Sequence, residues 1–223
     1  YNGGGFHIRD DQGDRHDITI QPQGSNYLGY LTAEVSEETV NDGDGFVTWN
    51  YHVSDAALNP LAEGETKIEK FTIIVTDGHG TSTSREIEIT LKGTNDAPLI
   101  TMEVGDSVAI TLQETNAGLS ASGTVTVHDA DLTDIVTASV HSVTIDGPSG
   151  GLSVADLRGY RTFGNSQVLD ATKTTDKLTW NFNSGSQAFD FLAQGETLTL
   201  AYVVRATDDS SGSAFAEQIV TIT

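Results

Sequence analysis

Val, Ile and Thr alternate with polar residues in short runs, the two-residue period of strands half-buried in a sheet. In the second half of the chain this predicts strand A at AITLQ (109–113), B at SGTVTVH (122–128), C at IVTASVHSVTI (135–145) and a short D at Gln167 to Leu169. E follows at KLTWNF (177–182), F at ETLTLAYVVRAT (196–207) and G at EQIVTIT (217–223). The first half gives FHI (6–8), HDITIQ (16–21), YLTAEV (30–35), GFVTWNYHV (45–53), TKIEKFTIIVT (66–76) and SREIEITLK (84–92). No stretch keeps a helical period for long. Seven short strands in the second copy and six in the first predict an all-β chain of two tandem immunoglobulin-like Greek-key β-sandwiches joined by a short linker.

The two halves repeat each other. Thr48–Lys92 laid on Thr179–Thr223 at an offset of 131, without a gap, gives 14 identities in 45 pairs, where chance gives about three. Trp49 meets Trp180, Gly64 meets Gly195, Glu65 meets Glu196 and Asp77 meets Asp208, and GYLT (29–32) meets GYRT (159–162). The expected modules are 1–94 and 95–223, the second carrying an extra segment at about 143–176. Nothing before FHI can serve as strand A. The repeat puts that strand about 26 residues upstream, so Tyr1 is expected to be a fragment boundary.

Charge narrows the partners. Lys and Arg number 11 against 32 Asp and Glu, a formal charge of -21, which argues against nucleic acid and anionic membranes and favours cations. The apolar runs fall well short of the roughly 20 residues of a membrane-spanning helix, so no membrane insertion is expected. Cys is absent, which suits the cytosol and also suits secreted proteins held by metal ions instead of disulfides.

Strand order sorts the acids by end of the sandwich. In a Greek-key module the B–C and F–G loops share an end with the incoming linker, and the A–B and E–F loops lie opposite. Asn95 and Asp96 from the linker, Asp129, Asp131 and Asp134 from the B–C loop and Asp208 from the F–G turn are therefore expected at one end of the second module. Glu65, from the first module's E–F loop LAEGET, is expected at the same junction. Bare carboxylates at 4 Å repel by about 1 kcal/mol per pair even in water. GTNDAP, HDADLTD and TDDSSG hold no Lys or Arg, and the donors are all hard oxygens, which selects Ca²⁺ over Zn²⁺. The ligand set expected is Glu65, Asn95, Asp96, Asp129, Asp131 and Asp208. Extracellular modules bind Ca²⁺ with dissociation constants of about 10⁻⁴ to 10⁻³ M, a level met outside cells. Turn chemistry is the plainer account of any single Asp. The convergence of three loops and one linker is what turn chemistry does not predict.

GFVTWNYHV, ALNPLAEGETKIEKFTIIVTDGHG and GTNDAP resemble the VCBS repeat, a cadherin-like module of giant bacterial RTX-type surface adhesins. The second copy is similar through LTWNF, LAQGETLTL and GTVTVHDADLTD, and departs at TDDSSGSAF. The resemblance implies a Ca²⁺-rigidified extender of an extracellular fibre at a bacterial surface, monomeric, with neighbouring repeats of the same chain as its partners. A binding module is the alternative, in which the extra segment, with Arg158, Tyr160, Arg161 and Phe163, contacts a glycan or protein. Catalysis is not expected. GPSGG (147–151) fits a nucleophile-elbow pattern, but that motif needs a helix after it, and the sequence beyond reads as strand. His128 beside Asp129 has no nucleophile to serve. Trp49 and Trp180 read as core anchors, Glu114 as an acid at the far end of the second module, and NDGDG (41–45) as a hairpin turn.

Overall fold

A computed structural model describes residues 2–10, 16–38, 43–210 and 214–223, with the backbone alone at 2, 9, 10, 36–38, 43 and 44. Asn41 and Asp42 of the NDGDG turn lie outside the described residues. The chain divides into two compact units, Tyr1–Thr94 and Asn95–Thr223. Both are built from strands, so the all-β expectation holds.

The first unit contains β1 (Asn2–Asp10), β2 (Asp17–Pro22), β3 (Tyr30–Glu38), β4 (Gly43–His52), a single helical turn α1 (Asp55–Leu58), β5 (Thr66–Thr76) and β6 (Ser82–Lys92). One sheet has the order β1-β4-β3 and the other β2-β5-β6, all antiparallel. These are strands B, E, D and C, F, G of an immunoglobulin-like sandwich. Alternate residues of β5 and β6, namely Phe71, Ile73, Val75, Ile87, Ile89 and Leu91, face the core with Val47 and Tyr51. One carboxylate joins them. Glu69 is 2% exposed and accepts from Tyr51 Oη at 2.7 Å and from Leu28 N–H at 2.5 Å. Burial first, and then this carboxylate, hold the Tyr51 phenol well above its ordinary range.

The second unit has edge strands without a counterpart among the first unit's described residues. Its elements are β7 (Leu99–Thr101), β8 (Ala109–Ile110), β9 (Ser120–His128), β10 (Val136–Asp146), α2 (Val154–Gly159), β11 (Arg161–Phe163), β12 (Gln167–Leu169), β13 (Thr175–Asn183), β14 (Thr199–Thr207) and β15 (Phe215–Ile222). The sheets run β11-β13-β9-β7 and β12-β10-β14-β15-β8. Strand A is split: β7 pairs antiparallel with β9, and β8 crosses over to pair parallel with β15. The alternation found only the second piece, because three residues are too short to show a period.

Two further expectations are corrected. Strand D is not Gln167–Leu169, which pairs with β10 in the opposite sheet; it is β11, where Arg161 faces Phe182 as Leu31 faces Tyr51 in the first unit. The gapless repeat also fails at strand G. Thr76 faces Ser82 across five residues, whereas Thr207 faces Phe215 across seven, so β15 matches β6 at an offset of 133. A shift of two residues keeps every side chain on its own face, and for that reason the apolar phase still agreed at 131.

The tryptophans are core anchors in both copies. Trp180 is 1% exposed and its ring covers Gly123, where an added Cβ would meet Cζ2 at 2.5 Å. Trp49 covers Gly4 in the same way, at 2.8 Å. Each glycine is the residue directly across the ladder from its tryptophan.

Candidate metal centre

The loop between β9 and β10 is folded by its own carboxylates. Asp129 N–H is tied to Thr174 O at 2.9 Å, Asp131 N–H bonds to Asp129 Oδ1 at 3.1 Å, and Asp134 N–H bonds to Asp131 O at 3.1 Å. These tight turns bring one carboxylate oxygen from each of Asp129, Asp131 and Asp134 within 4.8 Å of one another. All three residues are buried, at 4%, 1% and 9% exposure.

The linker and the β14–β15 loop close on the same cluster. Asp96 N–H donates to Asp131 Oδ2 at 2.7 Å, and Asn95 Nδ2 donates to Asp208 Oδ2 at 3.2 Å. Asp208 Oδ1 accepts from Ser210 N–H at 3.1 Å, and Asp209 Oδ1 accepts from Ile135 N–H at 2.8 Å, which pins one loop to the other. Five of the six residues expected as ligands thus belong to the second unit and meet at one end of it. Asp134 belongs with them, although the expected set left it out; its signal was the Asp spacing of DADLTD. Asp96 enters through its backbone. Asp129 Oδ2 and Asn95 Oδ1 are buried with no hydrogen-bond partner among the described residues.

The sixth residue, Glu65, lies in the first unit. Its Oε2 accepts from Ala62 N–H at 3.1 Å, and Glu196 Oε2 accepts from Ala193 N–H at 2.9 Å at the repeat position. The repeated Glu therefore shapes the E–F loop in both copies.

Burial and mutual repulsion both act on the cluster. Burial, then the charges of Asp134, Asp131 and Asp208, push the Asp129 carboxyl up to about 7 against one opposing bond from Asp131 N–H. A carboxyl raised in the folded state binds more protons folded than unfolded between about pH 4 and pH 7, so stability falls as pH rises through that window. At Asp106 burial also raises the pKa, but bonds from Lys177, Thr124 and Thr126 outweigh it and hold the carboxyl well below the usual range. Its contribution is complete above about pH 4 and adds no slope there. In chelator, the second unit is expected to be more stable at pH 5 than at pH 7.5 by about 1–3 kcal/mol, and millimolar Ca²⁺ should remove or reverse the difference. Equal urea midpoints at the two pH values in chelator would contradict this.

The other candidates resolve structurally. A helix does follow GPSGG, contrary to the expected strand: Ser153 and Asp156 form a reciprocal capping box on α2. Gly147, Gly150 and Gly151, all at positive φ, make the turn before it. Arg158 donates to Val140 O at 2.5 Å and His141 O at 2.8 Å while remaining exposed, whereas Arg161 is 4% exposed and turns inward from the extra segment. His128 contacts Thr101, Thr175 and Glu103. A cleft of about 500 Å³ opens at the E–F end, lined by Phe182, Phe189, Leu198 and Ile222 with Glu114 and Glu196. In the first unit the corresponding loop is bonded by its own Gly93, whose N–H donates to Glu65 O at 2.8 Å.

Neither the protein-family models nor the curated proteins give a match to this chain. Among solved structures it is similar to the protocadherin gammaB4 extracellular domain, at 14% identity and TM-score 0.45, over 99% of this chain and 33% of that one. Domains 3–6 of protocadherin gamma B2 give 14% and 0.42, over 99% and 50%. The ASH/PapD-like domain of human CEP192 gives 12% and 0.38, over 58% and 85%. The chain thus spans half or less of the protocadherin chains that it matches. Among the described residues no helix is long and apolar enough to cross a membrane. The strand order and register identify both units as immunoglobulin-like sandwiches, the second with its strand A divided between the two sheets.

Proposed function

We propose that the chain is a pair of extender modules of an extracellular bacterial adhesin, and that Ca²⁺ bound at the acidic end of the second unit stiffens the fibre. The observation that carries this is the convergence of Asp129, Asp131 and Asp134 with Asn95, Asp96 and Asp208, buried carboxylates gathered from two loops and the linker. Hard oxygens from Asp and Asn, with buried Asp129 Oδ2 and Asn95 Oδ1 lacking partners, fit a cation that takes six to eight oxygen ligands. Calcium would supply the positive charge that this loop set lacks.

Such a device needs no catalytic group and no ligand besides the ion. The alternative, a glycan- or protein-binding module, relied on the exposure of the extra segment, and the burial of Arg161 removes one of its four contact residues. Small-angle scattering tests the extender. Chelation is expected to broaden the distribution of angles between the units, and about 5–10 mM Ca²⁺, saturating for a roughly millimolar site, to narrow it. Superimposable profiles in the two conditions would end the hinge-lock proposal.

A further inference from the structure

We propose that the outer face of the β1-β4-β3 sheet in the first unit binds a neutral sugar chain, seated on the Tyr30–His52 ring pair and running along β4 towards Phe46. This adds a ligand to the extender and does not depend on the calcium site. The core defines the face. Val47, Trp49 and Tyr51 of β4 turn inward, so Phe46, Thr48, Asn50 and His52 turn outward. At one end Tyr30 stacks on His52, with ring centres 5.0 Å apart and planes at 21°, and Tyr30 is 62% exposed. At the other end His7 meets the Phe46 ring edge-on at 5.0 Å.

The second unit shows that the fold does not require these rings. By register, Phe46, His52 and His7 correspond to Lys177, Asn183 and Thr126. The tyrosine is common to both copies, and its role is reversed. Tyr160, one residue before Arg161 as Tyr30 is before Leu31, packs edge-on against Phe182 and Phe189 at 6.1 and 6.4 Å, whereas Tyr30 lies out on the sheet face. Rings kept on a solvated face where the repeat manages without them mark an interaction surface. Two glycines let the side chains lie along that face. A Cβ on Gly3 would meet Asn50 Oδ1 at 2.6 Å, and one on Gly5 would strike the Phe46 ring; the second unit has Ser122 and Thr124 there.

The order of groups along the face selects the occupant. Phe46 and His52 stand about 20 Å apart on β4, with Thr48 and Asn50 between them and Thr32 and Glu34 alongside on β3. Thr32 Oγ1 lies 3.1 Å from His52 Nε2, which holds the imidazole against the Tyr30 ring. A pyranose carries C–H groups on its faces and hydroxyls around its rim. The faces stack on aromatic rings, and the rim pairs with amide, hydroxyl and carboxylate groups. An apolar peptide would instead bury the polar rows unpaired, at a cost for each group. Among the described residues this face holds Glu34 and no Lys or Arg, and the chain carries a charge of -21, so anionic sugars are repelled.

The test titrates the full chain with soluble neutral oligosaccharides of glucose, galactose, mannose and N-acetylglucosamine, read by proton NMR of the Tyr30 and His52 rings. At about 10 mM sugar, well above a millimolar dissociation constant, at least one is expected to move both sets of ring protons, in Ca²⁺ and in chelator alike. Tyr30→Ala should weaken that binding about tenfold, and Phe46→Ala should weaken longer chains more than disaccharides. Tyr30 is exposed, so its loss leaves the fold intact, which an unchanged melting temperature checks. Thr162→Ala, on the matching face of the second unit, should change nothing. Ring protons that none of these sugars moves would overturn the proposal. So would binding that Tyr30→Ala leaves at full strength, or a preference for sialylated or sulfated sugars. Ring shifts that follow protein concentration without sugar would assign the face to a second copy of the chain and overturn the proposal equally.

Discussion

In about 10 mM Ca²⁺ the second unit melts about 5–15 °C above its value in chelator, and Asp131→Ala abolishes the difference. A site with a dissociation constant of about 10⁻⁴ to 10⁻³ M adds about 1.4–2.7 kcal/mol at that concentration, and a domain of this size gains a few degrees per kcal/mol. Asp131 is the variant to choose because it is 1% exposed, contributes to the close carboxylate group and accepts Asp96 N–H from the linker. In chelator the same variant should be no less stable than the parent by more than about 1 kcal/mol, since it removes like-charge repulsion together with one hydrogen bond. A Ca²⁺-induced rise of equal size in parent and variant would place the ion elsewhere.

Arg161→Leu should stabilise the second unit, by about 1–3 kcal/mol. Arg161 stands where the first unit has Leu31, facing Phe182 as Leu31 faces Tyr51. Its guanidinium is buried with no acceptor within reach of Nε, Nη1 or Nη2 among the described residues. Burial draws its pKa down to about 10. The compensation is aromatic: the guanidinium carbon lies 4.5 Å from the Trp180 ring centre and 5.4 Å from that of Tyr202. Such contacts are worth about 2 kcal/mol when desolvated, against several kcal/mol for burying an unpaired charge. Leucine removes the unpaired charge, the costlier of the two, and keeps an apolar side chain of the kind that the first unit uses. Urea denaturation decides it. A loss above about 1 kcal/mol, the size of an ordinary single-site effect, would mean that the rings hold the charge better than a leucine fills its place.

Period-2 alternation made the long strands legible, and TKIEKFTIIVT spans β5 from end to end. It could not reveal β7, which has three residues, nor choose between β11 and β12 for strand D, since both are three residues long within a segment of turns. Sheet membership there depends on pairing, which no local pattern carries. The two-residue insertion before β15 was hidden for the opposite reason, because the pattern is too regular to register a shift of two. Among the acids, grouping by loop end was legible from strand order alone. Their inward aim is set by backbone turns such as Asp134 N–H to Asp131 O, and that is why Asp134 stands with Asp129 and Asp131 while Asp96 contributes its amide. Arg161 looked like a surface contact in sequence, where burial of a cation is invisible.

The central claim is that the carboxylates of Asp129, Asp131 and Asp134 hold calcium, and isothermal titration of Ca²⁺ into the metal-free full chain measures it most directly. A saturable binding isotherm in the range of about 10⁻⁴ to 10⁻³ M, with protons released as Asp129 ionises at pH 7 and both signals lost in Asp129→Asn/Asp131→Asn, is the result predicted. Heats that match dilution alone, or an isotherm that the double variant leaves unchanged, would contradict it.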